Sequence, residues 1–160
     1  MRFLAIDLGD KRTGLATGDD VMGLVSPIEV LAVSIGADGG NALRHAVRRA
    51  IAEQLGARDG VVVGLPLNMD GTEGPRAKLA REFGEEIARG SGREVFYQDE
   101  RLTSVEADWS LVGSELTRKQ RKGVRDALAA AAILRDFLAE RMRRHDAGDR
   151  GAEGPERASE

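Results

Sequence analysis

The first third of the chain reads as strands, whose side chains fall alternately on two faces. Phe3, Ala5 and Asp7 project to one face of such a strand, and Leu4 and Ile6 to the other. Thr13–Thr17 and Ser26–Val33 ("SPIEVLAV") predict two further strands joined by short polar turns, hence an antiparallel meander. Beyond a loop at Gly36–Gly40 the spacing becomes helical. Leu43, Val47, Ala50, Ile51 and Leu55 predict a helix that Asn41 caps and Gly56 ends. Val61–Leu65 ("VVVGL") is wholly apolar, as a strand buried on both faces is. The turn-rich "PLNMDGTEGP" follows. A helix from Pro75 then buries Leu79, Ala80, Phe83 and Ile87, and the strand Glu94–Gln98 ends at Asp99-Glu100. Thr103-x-x-Glu106 predicts a capping box that opens a third helix, and Val124–Arg144 predicts a long final one.

The order β-β-β-α-β-α-β-α-α predicts an α/β fold: antiparallel hairpin strands first, then alternating helices and strands that add parallel strands to a mixed sheet flanked by helices. That order matches an RNase H-like layout. Residues 1–145 are expected to form one domain and residues 146–160 ("DAGDRGAEGPERASE") a disordered acidic tail.

Composition narrows the chemistry. Cysteine is absent and the histidines are His45 and His145, both in Arg-rich helical stretches, so a zinc enzyme is not expected. A metal, if one acts, is a hard cation on carboxylates, Mg²⁺ or Mn²⁺. With no long apolar run, the chain is expected to be cytoplasmic with no membrane partner. The net charge of −3 resides in the tail, whose five acids and two arginines leave 22 acids and 22 bases over residues 1–145. The excess of arginine, twenty against four lysines, fits phosphate recognition, but a GC-rich genome explains it as well.

Acids at strand ends carry the sharper signal. Asp7 ends the first strand, either Asp99 or Glu100 ends the last, and Asp126 stands near the start of the final helix. Positions 129, 130, 133 and 137 share the helix face of Asp126 and are Ala, Ala, Ile and Phe, so that acid lies on the stripe facing the sheet. Taken singly, Asp126 could complement a helix dipole and Glu100 could pair with Arg101. Taken together, such carboxylates can converge on two divalent cations and hydrolyse a phosphodiester without a histidine base. Alternation alone leaves Asp99 and Glu100 tied. "TRKQRKG" and Arg125 place five cations in residues 117–125 just before Asp126, where a polyanion's backbone would approach.

The stretches "AIDLGDKRTGLA", "VVVGLPLNMDGTEGP", "DERLTS" and "KGVRDALAAAAIL" resemble the YqgF/RuvX family of Holliday-junction resolvases and pre-16S rRNA nucleases, in the family's order and across roughly residues 2–138. The resemblance implies an RNase H-like, metal-dependent nuclease with Asp7, Glu100 and Asp126 as catalytic metal ligands, which breaks the tie in favour of Glu100. Lys11, Arg12, Arg101, Lys119, Lys122 and Arg125 are the expected substrate contacts, Arg12 foremost. Gly9 and Gly14 are expected to serve the turn and close approach of a phosphate backbone, and Asn68 and Asp70 to border the cleft. Nucleic acid, structured RNA or branched DNA, is the expected partner. Maturation of the 5′ end of pre-16S rRNA is the favoured function. Holliday-junction resolution and a non-catalytic RNA- or protein-binding module are the alternatives. A monomer would suffice for trimming RNA, whereas paired cuts need a homodimer, for which Trp109, Leu111 and Val112 offer an apolar surface.

Overall fold

The computed structural model describes residues 1–101 and 117–150. Strands β1 (Arg2–Leu8), β2 (Thr13–Asp19) and β3 (Val25–Leu31) form the antiparallel meander. Helix α1 (Asn41–Gln54) leads to β4 (Gly60–Leu65), and α2 (Pro75–Ser91) leads to β5 (Val95–Asp99). Both strands are parallel additions, β4 on β1 and β5 on β4, so the sheet runs β3-β2-β1-β4-β5. Helix α3 spans Arg118–Arg150. The fold is α/β, as the patterning predicts.

Strand alternation sorts the core into two layers. Leu4, Ile6, Leu15, Val61 and Val63 pack against α1 and α2, while Phe3, Ala5, Ala16 and Val62 pack against α3. β4 is buried along its whole length, which its central place between two helical layers requires.

Several local expectations shift. Gly40, at φ 87°, takes the cap position of α1, and Asn41 is the first helical residue, its Oδ1 accepting a hydrogen bond from Arg44 Nη2 at 2.7 Å. Leu79 is 39% exposed, and Ala77 and Gly84 join Ala80, Phe83 and Ile87 on the buried face of α2. α3 overruns the expected 124–144 at both ends. Nothing between Arg118 and Arg150 breaks a helix more strongly than a glycine, and the next proline is Pro155. The helix therefore takes in residues 146–150 of the expected tail; residues 151–160 lie outside the described residues, as do Thr103, Glu106, Trp109, Leu111 and Val112. Among the described residues no helix is long and apolar enough to cross a membrane.

Candidate active site

The site lies on the α3 side of the sheet at the carboxyl ends of β1, β4 and β5. Asp7 shares its face with Phe3 and Ala5, and opposite it in β2 stands Gly14. A Cβ on Gly14 would lie 1.9 Å from the carbonyl oxygen of Asp126. The α3 backbone therefore rests on β2 at that point, which brings Asp126 over the Asp7–Gly14 pair. Gly14 thus serves helix-on-sheet approach rather than the turn or a phosphate. Gly9 does serve the turn, since a Cβ there would meet the Arg12 carbonyl oxygen at 2.3 Å.

Glu100 follows β5 and continues its ladder, its N–H donating to the Leu65 carbonyl at 3.2 Å. It shares a face with Phe96, which belongs to the α3 layer. The space that its carboxylate occupies is that of a missing side chain in β4: a Cβ on Gly64 would meet Glu100 Oε1 at 2.1 Å and Ile133 Cδ1 at 2.6 Å. Asp99 points to the other side of the choice. Arg101 Nε and Nη2 both donate to its Oδ2, at 2.9 and 2.7 Å, and hold its carboxyl below the usual range.

Asp7 and Glu100 are charged neighbours in a desolvated place. Burial, then repulsion from Asp126, pushes Asp7 up to about 6 against the attraction of Arg76. Burial, then repulsion from Asp7, pushes Glu100 up to about 7, again opposed by Arg76. Arg76, in the first turn of α2, is a site residue that the sequence does not single out; its Nη1 donates to Asp10 Oδ2 at 3.2 Å. Asp126 is held differently. Arg12 Nε donates to its Oδ2 at 3.2 Å. Asp126 also sits about two turns inside α3, beyond the reach of the helix dipole, so Arg12 is what offsets its charge.

The expected basic contacts separate. Arg12 is half-buried within the site, and Lys11 next to it and Arg125 next to Asp126 are exposed. Lys119 and Lys122 lie in the first two turns of α3, with their side chains outside the described ones. Arg101 is engaged within the chain: besides Asp99, its Nη1 bonds the Met69 carbonyl at 3.3 Å and so ties the loop after β4 to the end of β5. Asn68 and Asp70 build that same loop, both bonding Thr72.

Carboxylates alone, in a desolvated cluster, form a donor set for a hard cation. Asp7 and Glu100 fit that role, since a cation would relieve their mutual repulsion. The trio is not gathered, however: among the described residues no group of three or more His, Cys, Asp or Glu side chains is placed to hold a metal ion.

Relatives and solved structures carry the reading to a family. A protein of Oenococcus oeni named "Putative pre-16S rRNA nuclease" is 40% identical over 139 residues, covering 86% of this chain and 94% of its own. One of the same name from Pelotomaculum thermopropionicum is 38% identical over 159 residues, covering 98% and 99%. The Fowlpox virus resolvase, solved with Holliday junction DNA, superposes with a TM-score of 0.57 at 13% identity over 89% of this chain and 99% of its own. RuvC of T. thermophilus, solved with a Holliday junction substrate, gives 0.53 at 17% identity over 89% and 96%. At such identities these two likenesses are of fold, and the fold is RNase H-like. Residues 1–140, which include every acid of the site, match the family described as RuvX, Holliday junction resolvase, and the chain belongs to that family.

Proposed function

We propose that this chain is a divalent-metal-dependent nuclease that hydrolyses phosphodiester bonds in structured nucleic acid, and that its substrate is the 5′ leader of pre-16S rRNA. The observation that carries the reading is the burial of Asp7 against Glu100 beneath Asp126, with Gly14 and Gly64 clearing the space. Two like charges half-buried side by side oppose folding more than a neutral pair of the same shape would. Their retention makes sense where the charge itself is used.

Asp7 and Glu100 would hold the cation, Mg²⁺ or Mn²⁺, and Asp126 would complete the ligands of a two-metal site. When bound, such cations supply a nucleophilic hydroxide at neutral pH and stabilise charge on the leaving oxygen. This chain's residues do the rest. The α3 layer keeps bulk water from the inner side of the acids, which strengthens their hold on positive charge. Lys11, Arg12, Arg125 and, from their places in α3, Lys119 and Lys122 bind the phosphate backbone and position the bond to be cut. Hydrolysis adds water's OH to phosphorus as the P–O bond breaks, and the departing oxygen takes up a proton.

The leader is favoured as substrate because relatives matched over nearly their full length bear that name. The family's description favours a four-way DNA junction as the second reading. A cleavage assay with Mg²⁺ or Mn²⁺ separates the two, offering a labelled RNA with a 16S leader and a labelled junction to wild type and Asp7→Asn. Cutting of the RNA alone, lost in the variant, is the expected result. Paired symmetric cuts in the junction would assign DNA and two cooperating copies. Binding of either substrate without cutting, unchanged by the substitution, would overturn the nuclease reading in favour of a binding module.

A further inference from the structure

We propose that Arg12 is a positioning residue that holds Asp126 away from the cation site until a phosphate takes the guanidinium, so that cation and nucleic acid load together. The inference rests on the metal-dependent reading above and adds an order of events to it.

Each side of the latch has a fixed backbone and a movable tip. Arg12 comes from the turn that follows Asp7, and that turn is closed tightly enough for the Arg12 carbonyl to fill the space of a Gly9 side chain. The backbone of Asp126 is equally fixed, pressed on Gly14. What remains free is the direction of the carboxylate, a rotamer choice rather than a movement of α3. One direction leads toward the charge of Asp7, which already repels Asp126. The other leads to Arg12, and that is the one adopted, at 3.2 Å with the two side chains 38% and 28% exposed.

The consequence is thermodynamic. A guanidinium bonded to Asp126 is less available to a phosphate, and a carboxylate bonded to Arg12 is less available to a cation. Whatever removes one partner therefore favours binding of the other's ligand, and linkage requires the effect to be equal in both directions. Arg76 supplies an internal control. It too is a cation near Asp7 and Glu100 in a 3.2 Å ion pair, but its partner is Asp10, which is not one of the three acids.

Mn²⁺ binding to the full chain, followed by the electron paramagnetic resonance of the free ion, tests this. It is read without nucleic acid and with an RNA that carries a 16S leader and phosphorothioate linkages. Arg12→Gln is expected to bind Mn²⁺ about two- to tenfold tighter than wild type without RNA, the scale of a partly exposed ion pair. It should also lose most of the tightening that the RNA gives wild type. In the Asp126→Asn background Arg12→Gln should change nothing, whereas Arg76→Gln, acting through its charge alone, should act alike in both backgrounds. Tightening by Arg12→Gln that persists beside Asp126→Asn would overturn the latch. So would its absence in a protein whose Mn²⁺ binding Asp7→Asn abolishes, and the metal reading would then stand. Mn²⁺ binding indifferent to Asp7→Asn would remove the metal reading and the latch with it. Matching thermal melts confirm that the variants are folded.

Discussion

The two ends of the α3 face are built on opposite principles. At the amino end of β1, Phe3, Phe96 and Phe137 meet with ring centroids 5.2–5.9 Å apart, two of the three pairs edge to face. Arg141 lies over Phe3 and Phe96, and its Nε bonds Asp20, which also accepts from the N-terminal ammonium at 2.7 Å. Rings meet one another and opposite charges meet at their rim, beside a cavity of about 910 Å³ that Phe96, Phe137 and Arg141 line. At the carboxyl end, reached from Phe3 to Asp7 along β1 and from Phe137 back to Asp126 along α3, glycines replace side chains in β2 and β4, and Asp7 and Glu100 repel each other in the room so made. One end gathers rings and pairs its charges. The other gives packing up to hold charge, which is the signature of a site kept for chemistry.

The largest effect should come from the place where helix and sheet touch. A Cβ at position 14 would overlap the main chain of Asp126, which cannot move without lifting α3. Gly14→Ala should cost more than about 4 kcal/mol in urea unfolding, at the upper end for point changes, and leave no cleavage. At the aromatic end Phe3→Ala removes a fully buried ring that packs on half-buried Phe96 and Phe137, and should cost about 3–5 kcal/mol. Its remaining folded molecules should still bind Mn²⁺, because the acids are untouched. Loss of Mn²⁺ affinity in folded Phe3→Ala would show that the two ends are not separable.

How much of this contrast is legible in the sequence depends on whether the contact is local. Period-two alternation assigns Phe3, Ala5 and Asp7 to one layer and Leu4 and Ile6 to the other, and the two core clusters follow it. The tie between Asp99 and Glu100 stays open to alternation because neighbouring residues satisfy it equally. Beyond the family resemblance, the pairing of Asp99 with Arg101 and the room that Gly64 leaves distinguish them. Gly14 reads as a turn residue because its true neighbour is more than 100 positions away. Arg76 carries no local signal either, although its place just after the loop leaving a central strand is where ligands of open α/β sheets gather.

The charged end should respond to pH in a sense opposite to an ordinary salt-bridged protein. Asp7 and Glu100 have their affinity for protons raised by folding, from 3.8 to about 6 and from 4.5 to about 7. The folded state therefore binds more protons than the unfolded state between about pH 4 and 7, and stability without divalent ions falls as pH rises through that window. At 1.36 kcal/mol per pKa unit, Asp7 alone accounts for about 3 kcal/mol. Asp20, Asp59, Asp70 and Asp99 are lowered instead, and what they contribute is lost only as pH falls below the ordinary Asp range. Asp7→Asn should accordingly melt higher than wild type at pH 7.5 in chelator, by up to that amount, and gain nothing from Mg²⁺. A wild type whose melting temperature is flat from pH 4 to 7 would contradict the picture of two repelling buried acids.

The smallest effect concerns Arg101, where an expected substrate contact and an observed clamp give different results. Its guanidinium is engaged by Asp99 and by the Met69 carbonyl, in an ion pair about one-third exposed. Such pairs are worth about 0.2–1 kcal/mol, so Arg101→Ala should lower stability by no more than that. Phosphate contacts report themselves in another way, through the salt dependence of nucleic-acid affinity, whose logarithmic slope falls by about one for each contact removed. Lys11→Ala, from an exposed position in the turn beside Arg12, should show that fall. Arg101→Ala should leave the slope alone, since an arginine bonded to its own acid and to a loop carbonyl releases no counterion from DNA or RNA. A slope reduced by about one in Arg101→Ala would mean that the Asp99 clamp opens on binding and that Arg101, like Arg12, exchanges a carboxylate for a phosphate.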